Sequence, residues 1–225
     1  MDFCSKITDA GIKGLCVSGI CKSIEGLYIR GTQITKKGIK TALKHLHFLQ
    51  ALKVFDNHEV GSVSSVPVQI IAEMILDEQN SNLKRKYSLN CVCLFDYCPL
   101  LGHLPYINGS LGLVASLCPF VTILDINLVS GLTNSDLLEL LFLENVNRLE
   151  IYADSDSAPT VHNPTPHMVT FKDGVVPLLK RFGSSLEVLV LYNLEEVTAV
   201  KIPMIIDFCP KLKSLEINRE ERLLV

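Results

Sequence analysis

Cys118-Pro119-Phe120-Val121-Thr122-Ile123-Leu124-Asp125-Ile126-Asn127 places apolar residues at Val121, Leu124 and Ile126, with two residues in the first gap and one in the second. In an extended chain side chains alternate between faces, so Leu124 and Ile126 share one side. Working outward, the same spacing recurs as Ile24-Leu27-Ile29, Leu49-Leu52-Val54, Val146-Leu149-Ile151, Leu186-Leu189-Leu191 and Leu212-Leu215-Ile217. The six starts are separated by 25, 72, 25, 40 and 26 residues. A unit of about 25 residues therefore repeats along the chain.

The 72-residue gap has room for two more units. The candidates are a degenerate strand around Leu83 to Leu89 and a better one at Leu101-Leu104-Tyr106. The 40-residue gap is one unit plus an inserted loop over about 154–168, where Pro159, Pro164 and Pro166 interrupt a segment with little apolar content. Between strands the period changes. Ile39, Leu43 and Leu46 fall on one side of a helix, as do the leucines of 137–141. Thr8-Asp9, Thr35 and Thr133-Asn134-Ser135 stand before helical runs and offer oxygens to the unpaired N–H groups of a first turn.

Each unit is thus one strand followed by one helix, and neither element buries its apolar face without neighbours on both sides. Stacking resolves this. The expected fold is α/β: a horseshoe-shaped solenoid of about 7–8 repeats, with a parallel sheet on the concave face and helices on the convex face. It forms a single domain over 1–225. A hydrophobic content of 48% supplies the core, and the net charge of −3 with a pI near 6.1 leaves no basic excess for a phosphate backbone. Neither nucleic acid nor membrane is expected as a partner. No apolar segment follows a basic start and no stretch reaches about 18 apolar residues, so a cytoplasmic location is expected, with the nucleus as the alternative. Eight cysteines in a chain of this length read as reduced, buried thiols rather than disulfide staples.

The repeats resemble the cysteine-containing leucine-rich repeats of F-box proteins, whose units run C-P-x-L-x-x-L-x-L, two residues, C, then I-T-D-x-G-I-x-x-L. Cys118-Pro119-Phe120-Val121 and Cys209-Pro210-Lys211-Leu212 match the first half, and Cys98-Pro99-Leu100-Leu101 repeats it at the weaker strand. Ile7-Thr8-Asp9-Ala10-Gly11-Ile12 and Ile34-Thr35-Lys36-Lys37-Gly38-Ile39 match the second. The resemblance covers nearly the whole chain outside 56–90 and 154–168. It implies a protein-interaction module like the substrate-recognition region of a ubiquitin ligase, acting in ubiquitin-dependent protein catabolism. No F-box segment is present, so the ligase adaptor is expected as a partner only through an upstream F-box. The alternative is a stand-alone binding or scaffold protein. Cys4 occupies the cysteine position that follows a strand, so the chain is expected to begin inside a repeat, truncated at its N-terminus.

No motif for catalysis, nucleotide binding or zinc proteolysis occurs, and an enzyme is not expected. Cys91, Cys93 and Cys98, with Cys16 and Cys21, lack the second close pair of a zinc site. The Cys-Pro pairs resemble a haem-binding motif, but two of them fall at one repeat phase and are structural on that reading. His162 and His167, with Asp154 and Asp156, sit in the inserted loop and are left unassigned. No cofactor or metal is expected. Function then falls to the strand residues lying between core positions, which face away from the core: Tyr28, Arg30, Lys53, Phe55, Asp125, Asn127, Arg148, Glu150, Tyr152, Val190, Tyr192, Glu216 and Asn218. Tyrosine and arginine are the types that most often dominate binding energy, and mixed charge with aromatics fits a protein or peptide target on the concave face.

Overall fold

The computed structural model describes residues 5–54, 66–77, 86–98, 101–153, 168–194 and 196–218, the side chains at Gly19, Ile20, Asp77 and Asn218 excepted. It is an α/β structure built on parallel strands. Two short ones, β1 (Gly26–Tyr28) and β2 (Ala51–Lys53), pair with each other. The main sheet has six strands: β3 (Val66–Pro67), β4 (Cys91–Leu94), β7 (Ile123–Asn127), β8 (Arg148–Tyr152), β9 (Val188–Tyr192) and β10 (Ser214–Asn218), in the order β10-β9-β8-β7-β4-β3. Every neighbouring pair in it is parallel. A parallel pair requires a crossover. Helix α1 (Asp9–Val17) precedes β1, and crossovers run through α2 (Lys36–His45), α3 (Val68–Asp77), α4 (Ser110–Leu117), α5 (Asn134–Leu138), α6 (Val176–Phe182) and α7 (Ile202–Phe208); the helices pack on one another in chain order.

The register follows from the apolar spacing. Leu27 lies opposite Leu52, and Val92, Leu124, Leu149, Leu189 and Leu215 lie opposite one another across successive strands. A second row joins Leu94, Ile126, Ile151, Leu191 and Ile217. Apart from Leu215 and Ile217 on the edge strand, which are half-buried, all of these are closed to solvent. Just before the strands, main-chain hydrogen bonds run on from one to the next. The N–H of Gln50 donates to the Glu25 carbonyl (2.7 Å), Asn90 to Gln50 (2.9 Å), Thr122 to Asn90 (2.9 Å), Asn147 to Thr122 (2.9 Å), Glu187 to Asn147 (2.7 Å) and Lys213 to Glu187 (2.8 Å). The Gln50–Asn90 bond ties the β1–β2 pair to the larger sheet.

Helix starts are tied in a comparable way. The Thr35 N–H donates to Asp9 Oδ1 at 2.8 Å, and the Thr170 N–H donates to Asn134 Oδ1 at 2.9 Å. In both cases the residue after one helix-leading threonine holds the next such threonine. Thr35 accepts from the Lys37 N–H, and Thr133 forms a reciprocal cap with Asp136, as the sequence leads one to expect. Thr8 precedes α1 without a side-chain cap. Ile39, Leu43 and Leu46 are buried together on the sheet side of α2.

One expectation is corrected. Leu101-Leu104-Tyr106 is not a strand of the parallel sheet. Gly102–His103 (β6) pairs antiparallel with Tyr97–Cys98 (β5), turning at Gly102 with φ +74°. The strand that joins β7 is β4, and its triad Leu89-Val92-Leu94 has the same spacing as the other six. All four β4 residues are buried, so alternation, the usual mark of a half-exposed strand, is absent there. Buried Gln69 at the start of α3 fastens the hairpin, its Nε2 donating to the Phe95 carbonyl (2.5 Å) and the Leu104 carbonyl (3.2 Å). Of the other candidate strand, residues 83–85 lie outside the described residues, and Leu89 is the first member of the β4 triad. The inserted loop, apart from Met168, also lies outside them, as do Cys4, Pro99 and Leu100.

Of the seven described cysteines five are buried, and Cys16 and Cys21 are half-buried. Cys118 and Cys209 end α4 and α7 with matching backbone angles and matching bonds from their N–H groups back into the helix. Burial pushes the Cys118 thiol up from its ordinary value of 9.0 to about 12, and the Cys209 thiol to about 11. Below pH 9 both folded and unfolded chains keep these protons, and the stabilising contribution is complete. As pH rises through 9 toward 11 and 12 the unfolded chain ionises first, so stability falls. Cys118→Val is expected to show a shallower fall of Tm between pH 9 and 11 than the parent chain; equal slopes would place the thiol in contact with water.

Candidate protein-binding face

Arg148, Glu150 and Tyr152 alternate with the core residues Leu149 and Ile151 along β8, and they meet on the far side of the sheet from the core. The Arg148 guanidinium pairs with Glu150 Oε1, and the Tyr152 hydroxyl donates to Glu150 Oε2 at 2.7 Å. Across the strand boundary the rings of Tyr152 and Tyr192 lie 6.0 Å apart at 41°, within the range of favourable tilted aromatic pairs. At the other end of the face, the Lys53 ammonium sits 5.3 Å from the centroid of the Tyr28 ring, a cation–π contact between β1 and β2.

Exposure separates the expected residues into three groups. Tyr28 is 43% exposed and Glu216 is exposed, while Arg30, Lys53, Asn127, Arg148, Tyr152 and Tyr192 are half-buried. Asp125, Glu150 and Val190, at 0%, 1% and 7%, are closed to solvent. This corrects the expectation that they present themselves to a partner. They do occupy the face in register, Asp125 opposite Glu150 opposite Val190. At Glu150 the reason is visible: the longer side chains at either end of its strand fold over it and take both carboxylate oxygens. Phe55 lies outside the described residues, and for Asn218 only the strand position is described.

Cys93 and Phe95 belong to the same face and were missed with β4. Cys93 stands in register with Asp125, and both are buried. The signal that finds them is the Leu89-Val92-Leu94 spacing, which places residues 93 and 95 where 125 and 127 stand in β7.

The arrangement offers chemistry for recognition: a fixed guanidinium–carboxylate–phenol group and a tyrosine pair on the six-stranded sheet, and a lysine–tyrosine pair on the two-stranded one. Among the described residues no three His, Cys, Asp or Glu side chains converge as a metal site. His162, His167, Asp154 and Asp156 lie outside the described residues. Between α4 and α5, the Glu139 carboxylate accepts from the Gly112 N–H at 2.7 Å. Beside it the Tyr106 hydroxyl has its pKa raised, first by burial and then by Asp136. This is helix-to-helix fastening and stands apart from the face.

Among the described residues no helix is long and apolar enough to cross a membrane. Compared with known proteins, the chain matches no protein-family model, and it matches no curated protein.

Proposed function

We propose that this chain is a leucine-rich-repeat solenoid, with its parallel sheet on the concave side and its helices on the convex side, and that it works by binding another protein on that sheet. Support for the solenoid comes from the hydrogen bonds that recur before successive strands, from the aligned leucine rows, and from the threonine contacts repeated at helix starts. Units joined only to their neighbours in this manner are what a solenoid requires.

The observation that carries the binding role is the Arg148–Glu150–Tyr152–Tyr192 group. It is half-open and held in one geometry by its own contacts. Aromatic and arginine side chains immobilised before binding lose little entropy on association. The role we assign is substrate recognition of the kind the F-box resemblance implies, in the cytoplasm and without catalysis. An adaptor of the ligase would be reached only through an F-box upstream, and a stand-alone binding protein would show the same target without it.

Arg148→Ala combined with Tyr152→Ala is expected to remove a partner recovered by tagged purification from native cells, and to leave Tm within a few degrees of the parent. A difference of this size follows from losing two central contacts at roughly 2 kcal/mol or more each, while neither side chain belongs to the core. Partners recovered equally by both proteins would contradict the assignment. Co-purification of the cullin-ligase adaptor with a longer reading frame only would select the ligase role.

A further inference from the structure

Charge is segregated along the chain. Residues 1–53 contain eight lysines and one arginine against Asp2, Asp9 and Glu25, a net of +6, so the remaining residues carry −9 of the total of −3. The basic end coincides with β1 and β2, the end of the sheet face where Tyr28 is open to solvent. In the same stretch of chain Lys6, Lys13, Lys22 and Lys37 are exposed, whereas Lys36 and Lys40 share the Glu73 carboxylate at 2.8 and 3.3 Å.

Three groups share the face itself. Lys53 lies over the Tyr28 ring. The Ile29 N–H donates to the Lys53 carbonyl at 3.0 Å, which carries the pairing one residue past β1, and the alternation of exposed Tyr28, buried Ile29 and half-buried Arg30 puts Arg30 on the side of Tyr28. We propose that this β1–β2 end of the sheet face, at Tyr28, Arg30 and Lys53, receives an acidic peptide segment of the protein partner. The inference rests on the reading of the sheet face as the binding surface and names the partner's chemistry there.

A guanidinium and an ammonium on one face match carboxylates, the guanidinium in two-pronged fashion. The Tyr28 ring beneath Lys53 supplies apolar contact area that a peptide can cover. A nucleic acid fits less well. Glu216 stands exposed further along the same face, so a phosphate backbone following the sheet would leave a basic end for a carboxylate. A peptide can carry acidic residues at one end only. The exposed lysines outside the contact set a positive field that speeds the approach of such a partner, and salt weakens it.

The test titrates the full chain into a fluorescein-labelled peptide of alternating glutamate and serine, followed by anisotropy. The comparison probes are the same peptide with lysine in place of glutamate, and single-stranded oligothymidine. The glutamate peptide is expected to bind, more weakly as salt rises, and the lysine peptide not to bind. Arg30→Glu with Lys53→Glu is expected to lower affinity about tenfold or more, with an unchanged circular-dichroism melt. The milder Arg30→Gln with Lys53→Gln pair is expected to give a smaller loss in the same direction. Lys13→Glu with Lys37→Glu, on the helices, is expected to slow association and leave dissociation unchanged. Oligothymidine binding as tightly as the glutamate peptide, equal binding of both peptides, or concentration-dependent self-association that consumes the site would overturn the proposal. If Arg148→Ala with Tyr152→Ala removes the cellular partner while the Arg30 and Lys53 changes alter nothing, the acidic-segment inference fails and the sheet-face reading stands. If neither pair has an effect, both fail.

Discussion

Leu189→Ala is expected to destabilise the fold by about 2–5 kcal/mol, enough to unfold a domain of ordinary stability in part at body temperature. Leu189 is 0% exposed and stands in β9 between Leu149 of β8 and Leu215 of β10. Truncation leaves a cavity that neighbours on two strands must share, and neither strand can move toward it without breaking its own ladder. The paired control is Leu215→Ala. Leu215 holds the same position on β10, which among the described residues pairs only with β9, and it is half-buried. Its loss should be clearly smaller, because less apolar area leaves water on folding. Urea unfolding of the two variants measures the difference. Equal losses, or a negligible loss at Leu189, would mean that the aligned leucine rows do not form the core.

Gly183→Ala is expected to cost about 3 kcal/mol, at the upper end of overpacking effects. Gly183 follows α6 with ordinary helical angles, φ −53° and ψ −34°, so backbone freedom does not explain it. Close approach does. A Cβ there would overlap the Phe208 carbonyl oxygen at the end of α7 and lie 2.6 Å from the Leu179 carbonyl oxygen. Both obstacles are backbone, so relief requires α6 and α7 to separate. Gly14 is the contrasting case, a glycine inside α1 with nothing within 4 Å of the added carbon. Gly14→Ala should stabilise by up to about 1 kcal/mol through helix propensity. Opposite signs at the two glycines, read from thermal melts, would tie the effect to helix packing. A shared sign would sever that tie.

Six strands were legible in the sequence because each places three apolar residues at one spacing, and the parallel register then follows from stacking those residues row on row. Of the other two parallel strands, β3 is only two residues long and carries no triad, and β4 hid in plain view. Leu89, Val92 and Leu94 carry the spacing, but Cys91 and Cys93 between them are themselves apolar and buried, so the stretch lacks the polar alternation that marks a strand. Leu101 and Leu104 give a competing signal, because the Cys-Pro pair before them reads as a unit start. Leu104 is buried as a core residue would be, yet Gly102 turns the chain back on β5. The hairpin is set by that turn and by Gln69 reaching across from α3, a contact between distant residues that no local pattern reveals.

For the candidate site, the direction of side chains was legible and their exposure was not. Period-two alternation correctly puts Arg148, Glu150 and Tyr152 on one side of β8. Whether a residue on that side meets water depends on what its neighbours do. Glu150 is covered because Arg148 and Tyr152 both bond to it, a consequence of three particular side chains and not of strand period. Tyr28 stays open at the other end, where β1 and β2 are short and its neighbour in register is Lys53. The contact surface we propose therefore comprises Tyr28, Arg30, Lys53, Arg148, Tyr152 and Tyr192, with Glu150 as the group that fixes the middle.

The most direct test of the central claim, that the sheet face holds a protein partner, is site-specific photo-crosslinking in native cells with a benzophenone amino acid. It is placed in turn at Tyr28 and Tyr152 on the face, and at Phe142 and Val17, exposed at the ends of helical segments. The account predicts that the two face positions crosslink to the same protein and that the two helical positions do not. Adducts from Phe142 or Val17 alone, with none from Tyr28 or Tyr152, would contradict it and move the binding surface to the helical side.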